Sequence, residues 1–323
     1  MNESRPLNRV IVIGSSAGGV EALCSLVRAL PADLPAAVFI VQHIGRISVL
    51  PEILRRCHGN GNLGLAMNGE KILAGQIYVA APDHHLALEN SHIRVARGPR
   101  ENFHRPSVDV LFRSAAIRYG PKVIGVILTG SLDDGASGIF AIKQNGGVAV
   151  VQDPKEALFP DMPLNAMRAA PVDYILPLAE IPTLLVKLIH QQTLRTTPPV
   201  QKIKPMKNVK TRARDGTEAV HPAFVCPDCD GPLIRYEEGN LTRYACKIGH
   251  RFSLASLTEA QAETLERALW VAIRSLDDRA VIHQVRARQC EKENDREQAK
   301  QMLKVAEQAA TDAKVLREIA QKH

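Results

Sequence analysis

The chain has 323 residues, enough for one substantial α/β domain with smaller parts attached. No apolar stretch approaches about 18 uninterrupted residues, so the composition predicts no transmembrane helix. The first residues lack the apolar core of a secretory signal. We therefore expect a cytoplasmic protein whose six cysteines do not form a disulfide framework.

Residues 1–193 alternate short apolar runs with amphipathic patterns, which predicts a doubly wound α/β domain with a mainly parallel sheet. The predicted strands are Val10–Ile13, Ala37–Val41, Gln76–Ala80, His92–Val95, Val123–Leu128, Val148–Val151 and Tyr174–Leu176. The predicted helices are Val20–Leu30, Val49–Arg56, Val108–Tyr119, Gly138–Gln144 and Ile181–His190. In such a sheet, functional groups lie beyond the carboxyl ends of the strands.

The rest of the chain divides into three parts by composition. Residues 194–220 are basic and contain prolines, which predicts a flexible linker. The alternative is a contact site for a polyanion or an acidic partner. Residues 221–256 form a small Cys/His module. Residues 257–323 carry apolar residues three and four apart, which predicts a helical hairpin or coiled coil that could make the protein an oligomer.

The turn after the first predicted strand reads Gly14-Ser-Ser-Ala-Gly-Gly19. Its glycine spacing does not match the dinucleotide fingerprint, and no Gly-Lys-Ser/Thr of a P-loop follows. What remains is a serine at a strand-to-helix turn, where an α/β hydrolase places its nucleophile. A plain structural turn is the alternative.

Two further strand ends carry reactive side chains. His43 follows the second predicted strand, and Asp133 and Asp134 follow the fifth. Because parallel strands end at one edge of a sheet, these groups and Ser15 or Ser16 could supply a nucleophile, a general base and an orienting carboxylate. Taken singly, each has a plain interpretation as a capping or turn residue.

Four segments together resemble the catalytic domain of the CheB-type protein-glutamate methylesterases, in order and in spacing. They are Gly14–Gly19, Val41–His43, His104–Asp109 and Leu128–Ala136. The resemblance implies a serine hydrolase that demethylates glutamyl methyl esters of chemoreceptors in chemotaxis or a related two-component pathway. It also implies glutamine deamidation as a second activity and no catalytic cofactor. The family register makes Ser16 the nucleophile, His43 the base and Asp134 the orienting carboxylate.

The resemblance also suggests residues around the reacting groups. The backbone N–H groups of Ala17 and Gly18 are candidates for stabilising an oxyanion, and Arg105 for contacting a methylated receptor helix, with a structural arginine as the alternative. Ala17 stands where many family members have threonine, and the loop Ser131–Asp133 also departs from the family pattern. The chain begins directly with this domain, so we expect a stand-alone form without a receiver domain, controlled by a partner, by its C-terminal region or by expression.

The Cys/His module has the spacing of a metal site. Cys226 and Cys229 form one C-x₂-C pair, and Cys246 and His250 follow as C-x₃-H. Four such ligands suit a closed, structural Zn²⁺ site, with His221 as another candidate for the fourth ligand and metal-free reduced thiols as the alternative. Ribbons of this kind followed by helices resemble the C-terminal regions of some stand-alone methylesterase-like chains.

A different class of function stays open at this point. The chain could be a catalytically redirected or non-catalytic signalling scaffold, with its C-terminal region as the surface for a signalling partner. Nucleic-acid binding is not expected, because the module lacks an aromatic stacking platform and a basic stripe. The pair His84-His85 lacks ligand spacing and is expected in an exposed turn.

Overall fold

The computed structural model describes residues 7–43, 45, 48–59, 62–191, 211–212, 218–219 and 224–321. The chain divides into two compact units, residues 1–257 and residues 258–323. Within the described ranges, no helix combines the length and apolar character needed to cross a membrane.

Seven parallel strands form the main sheet of the first unit. They are β1 (Arg9–Ser15), β2 (Ala36–Gln42), β3 (Leu63–Leu65), β4 (Ile77–Val79), β7 (Val123–Ile127), β8 (Val148–Gln152) and β9 (Tyr174–Leu176). Their order across the sheet is β3-β4-β2-β1-β7-β8-β9. Two further strands, β5 (His85–Glu89) and β6 (His92–Ala96), pair as a separate antiparallel hairpin. The parallel sheet confirms the predicted fold class, although the strand predicted at His92 lies outside it.

Helices cover both faces of this sheet. They are α1 (Gly19–Ala29), α2 (Leu50–His58), α3 (Val108–Tyr119), α4 (Ala136–Gln144), α5 (Asp161–Ala169) and α6 (Ile181–His190). Helices α1, α2 and α6 pack on the face that contains Ile11 and Ile13, and α3, α4 and α5 on the face that contains Val10 and Val12. All four of these β1 side chains are fully buried, which is why the strand reads as a continuous apolar run.

In the α/β part of this unit, the sequence analysis missed the strands β3 and β5 and the helix α5. The strand β3 has only three residues, too few for a periodic pattern, and α5 carries a proline in its first turn. The expectation of an exposed turn at His84-His85 is wrong for His85, which is the first residue of β5 and is buried. Its Nε2 lies 2.8 Å from the carbonyl oxygen of Pro99.

The strand order reverses direction at β1, which pairs with β2 on one side and with β7 on the other. This reversal opens a crevice at the carboxyl ends of the strands, where α/β proteins bind their ligands. Gly14 lets α3 approach the end of β1, because a Cβ atom there would lie 2.3 Å from Cγ1 of Val108.

The Cys/His region forms a small antiparallel sheet within the same compact unit. Its strands are β12 (Leu233–Glu238), β13 (Leu241–Cys246) and β14 (Arg251–Ser253), and the tip of the first hairpin, at Gly239, packs against Phe140 of α4. The predicted linker, residues 194–220, lies outside the described residues except for a short antiparallel pair, β10 (Thr211–Arg212) with β11 (Glu218–Ala219).

The second unit contains most of α7 (Leu254–Lys292) and all of α8 (Arg296–Ala320), which supply the expected helical tail. Buried residues recur every seven positions on both helices, as in a coiled-coil seam. They are Ile273, Ala280 and Ala287 on α7, and Ala299, Ala306 and Ala313 on α8. Asp295 caps α8 by accepting a hydrogen bond from the backbone N–H of Gln298. Self-association through this tail stays a prediction.

The cysteines were expected to form no disulfide framework, but one pair, Cys24 and Cys57, forms a disulfide. Helices α1 and α2 pack side by side and bring the two Cα atoms to 5.4 Å, within the range that a disulfide needs. The pairing follows from a contact between helices, which sequence spacing does not reveal.

Gly14→Ala is expected to lower the free energy of unfolding by about 1–3 kcal/mol, because the new methyl group collides with Val108 in the core. Gly64→Ala in β3 is the control, since a Cβ atom there meets nothing within 4 Å. Urea unfolding of both variants, followed by circular dichroism, measures the difference. Equal midpoints would contradict the close approach of α3 to β1.

Candidate active site

The two serines of the turn after β1 have different environments. Ser15 is buried, and its Oγ donates a hydrogen bond to Oε1 of Gln42 at 2.6 Å. The next serine, Ser16, has its Oγ 3.2 Å from Nδ1 of His43. Only Ser16 therefore has a hydroxyl in contact with a base, as the family register predicts.

The turn that follows Ser16 leaves backbone donors free at the start of α1. Gly18 has a φ of +72° and precedes the first helical residue, Gly19. Among the described residues, no acceptor is hydrogen-bonded to the backbone N–H groups of Ala17 and Gly18. The N-terminus of a helix carries partial positive charge, so these two groups could stabilise an oxyanion formed next to Ser16.

His43 connects Ser16 to a buried carboxylate. Its Nε2 lies 2.8 Å from Oδ2 of Asp134, and the two side chains are only 7% and 1% exposed. With the proton on Nε2, the other ring nitrogen is free to accept the proton of the serine. The three residues follow β1, β2 and β7, so adjacent strand ends bring them together.

Asp134 precedes α4 in the chain, but its carboxylate lies at the N-terminus of α3, where hydrogen-bond donors surround it. Besides His43, it accepts from Asn102 Nδ2 at 2.8 Å, Ser107 Oγ at 2.8 Å, and the backbone N–H groups of Val108 at 2.6 Å and Asp109 at 3.2 Å. Burial by itself raises the pKa of Asp134, but the hydrogen bond and charge of His43 outweigh it and bring the pKa below its usual range. The carboxylate therefore stays ionised beside the imidazole.

A second histidine lies against the first. The rings of His43 and His104 are stacked, with centroids 3.6 Å apart and planes 13° from parallel. Burial, helped by the charge of His43, lowers the pKa of His104 to about 3. His104 is therefore neutral, and its flat ring shields one side of the base from water without competing for the proton.

Sequence comparison agrees with this geometry. The sequence model of the CheB methylesterase family matches residues 11–185, a stretch that contains Ser16, His43 and Asp134. The chain belongs to the CheB methylesterase family. The matched stretch begins within β1, ends within α6 and does not reach the Cys/His region.

Individual relatives extend the same picture. A Leptospira interrogans protein with a provisional protein-glutamate methylesterase/protein-glutamine glutaminase name is 43% identical over 55% of this chain and 93% of its own length. Protein-glutamate methylesterase/protein-glutamine glutaminase 1 of Geobacter metallireducens is 40% identical over 57% of this chain. The match covers 52% of the length of that relative. The crystal structure of the Thermotoga maritima CheB methylesterase catalytic domain is 33% identical, with a TM-score of 0.54, covering 56% of this chain and 98% of that one.

Gln42 is a supporting residue that the sequence analysis quoted but did not select. Its Nε2 donates to the carbonyl oxygens of Ser16 at 2.7 Å and of His43 at 2.9 Å, while its Oε1 accepts from Ser15. One buried amide thus ties the serine turn to the histidine strand end. The Gln-His pair directly after a buried strand was the available signal.

Arg105 is not a free cation at the rim. Its Nε and Nη2 donate to Oδ1 of Asp83 at 2.8 and 2.6 Å, and its Nη1 donates to the carbonyl oxygen of Gly98 at 2.6 Å. The side chain is only 14% exposed. This arrangement favours the structural alternative over contact with a receptor helix.

The four metal-ligand candidates come together in the Cys/His region. Sγ of Cys229 lies 3.6 Å from Sγ of Cys246, and Nδ1 of His250 lies 3.4 Å from Cys246 Sγ and 3.6 Å from Cys226 Sγ. Tetrahedral bonds of about 2.3 Å to sulfur place two thiolates roughly 3.8 Å apart, so the quartet could hold a metal ion. His221, the other candidate ligand, lies outside the described residues.

Gln42→Glu is expected to lower kcat for ester hydrolysis at least about tenfold, equivalent to about 1.4 kcal/mol. The carboxylate loses both donors and faces the carbonyl oxygens of Ser16 and His43 instead. Gln191→Glu adds the same charge at an exposed position and serves as the control. Steady-state kinetics on a p-nitrophenyl ester measures both variants, and matching rates would show that the amide does not hold the site.

Proposed function

We propose that this chain is a protein-glutamate methylesterase that acts on methylated chemoreceptors, with Ser16, His43 and Asp134 as its catalytic triad. The observation that carries the proposal is the continuous contact from serine Oγ through imidazole to buried carboxylate, at 3.2 and 2.8 Å, inside a CheB methylesterase domain. The names of the relatives support glutamyl methyl esters as substrates and glutaminyl amides as a second class.

The chemistry proceeds in two acyl-transfer steps. Nδ1 of His43 takes the proton of Ser16 as Oγ attacks the ester carbonyl, and Asp134 stabilises the imidazolium that forms. The N–H groups of Ala17 and Gly18 donate to the oxyanion. His43 returns the proton to the departing methanol, and water then hydrolyses the acyl-enzyme to a free carboxylate. The glutaminyl reaction differs only in releasing ammonia. No step requires a cofactor.

The scaffold alternative is not favoured. A non-catalytic relative has no need to keep serine, imidazole and carboxylate in contact, with the carboxylate satisfied by four further donors. The names of the relatives argue against a redirected activity. A cytoplasmic location, a signalling partner for the C-terminal region and self-association through the tail remain predictions.

The second part of the proposal is a structural Zn²⁺ held by Cys226, Cys229, Cys246 and His250. The distances among the ligand atoms suit tetrahedral coordination. Nε2 of His250 lies 3.9 Å from a carboxylate oxygen of Asp228, on the side where metal-bound histidines commonly find an acidic partner. The ion would secure the ends of β12 and β13.

Ser16→Ala is expected to reduce methanol release from methylated receptor by about 10⁴–10⁶-fold, because the nucleophile is removed. Ser15→Ala removes the neighbouring hydroxyl, which is hydrogen-bonded only to Gln42 among the described residues, and should keep turnover within about tenfold of the parent. Gas chromatography of methanol measures both, with circular dichroism as the folding control. Full activity of Ser16→Ala, or equal losses in the two variants, would overturn the assignment.

Cys229→Ser is expected to abolish stoichiometric zinc binding, whereas Cys290→Ser on α7 should leave one zinc per chain. Apparent binding energies of structural zinc sites reach about 10–16 kcal/mol, so removal of the ion by a chelator should also lower the melting temperature. Atomic emission of the purified proteins gives the metal content. Equal zinc content in the two variants would contradict the site.

A further inference from the structure

A buried arginine joins the Cys/His module to the α/β domain. Arg243, on β13, is the largest fully buried side chain among the described residues. Its Nη2 lies 2.5 Å from Oδ2 of Asp109 on α3, and its Nη1 lies 3.9 Å from Oδ2 of Asp133. The side chains of Arg243 and Asp109 are 2% and 0% exposed, so this ion pair is shielded from solvent and salt.

Asp109 in turn holds the loop that carries Asp134. Its Oδ1 accepts from the backbone N–H groups of Gly135 at 3.0 Å and Gly138 at 2.6 Å, which follow Asp134 into α4. Ionisation of a carboxylate buried this completely is unfavourable unless a cation or several hydrogen-bond donors lie beside it, and Asp109 has Arg243 as its cation. Burial raises the pKa of Asp109 to about 6, and the strongest opposing charge is that of Arg243.

Asn102 connects the two carboxylates. Its Nδ2 donates to Oδ2 of Asp109 and to Oδ1 of Asp134, both at 2.8 Å. Its backbone N–H donates to the carbonyl oxygen of Arg251 on β14 at 2.7 Å, so the Cys/His module also holds the chain segment that presents this amide. His104, two residues further, stacks on the base.

Other contacts keep the module in the same place. Ser253 Oγ donates to Oδ1 of Asp133 at 2.8 Å, directly beside the triad aspartate. Glu238 accepts a hydrogen bond from Ser137 in the first turn of α4, where a negative charge is favoured. The module therefore contacts Asp133, directly before Asp134 in the chain, and the first turn of α4, which follows it.

We infer that Arg243 is a positioning residue of the esterase site, which neutralises Asp109 so that Asn102 and the Gly135 loop keep Asp134 aligned with His43. The inference rests on the proposed function. It makes the Cys/His module a part of the catalytic apparatus and distinguishes this chain from an esterase domain with an independent appendage. Among the described residues, Arg243 forms no hydrogen bond or ion pair with Ser16 or His43, so it acts through Asp109.

Arg243→Met in the full-length, zinc-loaded protein tests this inference. We expect kcat to fall about tenfold or more while KM changes less than twofold, because alignment of the base is lost and the substrate surface is not. Arg243→Lys keeps a charge and should recover part of the rate. Arg235→Met is the matched control, since it removes an arginine of the same hairpin that pairs with Glu237, and both of these side chains are partly exposed. Arg235→Met should retain the parental kcat.

A purely structural role for Arg243 predicts a different result. The melting temperature would fall, but kcat per folded, zinc-containing molecule would stay within twofold of the parent, and that outcome would overturn the inference. If Arg243→Met does not fold, the comparison moves to an Asp109→Asn background, where the side chain at position 109 no longer needs neutralising. There, adding Arg243→Met should change kcat less than twofold, and a further tenfold loss would show that Arg243 acts independently of Asp109.

Failure of the inference can be separated from failure of the proposed function. The rate at which a fluorophosphonate labels Ser16 reports activation of the nucleophile without any methylated substrate. Slower labelling of Arg243→Met than of Arg235→Met supports the positioning role even if the receptor ester is the wrong substrate. Equal labelling rates in these two variants, with both folded, would overturn the role even if the wild-type protein releases methanol.

Discussion

The site depends on keeping one carboxylate ionised where water cannot reach it. Asp134 is 1% exposed on its side chain and would gain a proton in such a place if its neighbours were apolar. Five donors surround it, two of them backbone N–H groups at the start of α3. The close approach of α3 to β1 at Gly14 is therefore an electrostatic as well as a packing requirement.

The fold provides this arrangement at the point where its strand order reverses. Ser16 and His43 follow neighbouring strands, and Asp134 follows β7 on the other side of β1, so the three groups converge over a single edge of the sheet. The supporting residues come from elsewhere. Gln42 fixes the nucleophile turn from within the sheet, and the segment around Asn102 reaches the carboxylate from beside the Cys/His module.

Sequence reasoning recovers what depends on local patterns and on strand ends. Apolar runs predict the parallel strands, and the residues that follow such strands predict that Ser15 or Ser16, His43, and Asp133 or Asp134 are neighbours. The family register then selects Ser16 and Asp134. It does not recover the amides of Gln42 and Asn102 or the stacking of His104, because these depend on which side chains meet across the fold. Arg243 lies 134 positions from Asp109, and nothing in either local sequence indicates the other. The disulfide of Cys24 has the same origin, a tertiary contact between helices.

The ion pair between Arg243 and Asp109 also limits how the sequence of this chain can change during evolution. An apolar contact tolerates stepwise substitution of either residue. A buried ion pair does not, because the loss of one partner leaves the other charge buried and unpaired. Positions 109 in the α/β part and 243 in the Cys/His part are therefore expected to change together among related sequences. A gene fusion that exchanged either part for a homologous one would have to bring a compatible partner with it.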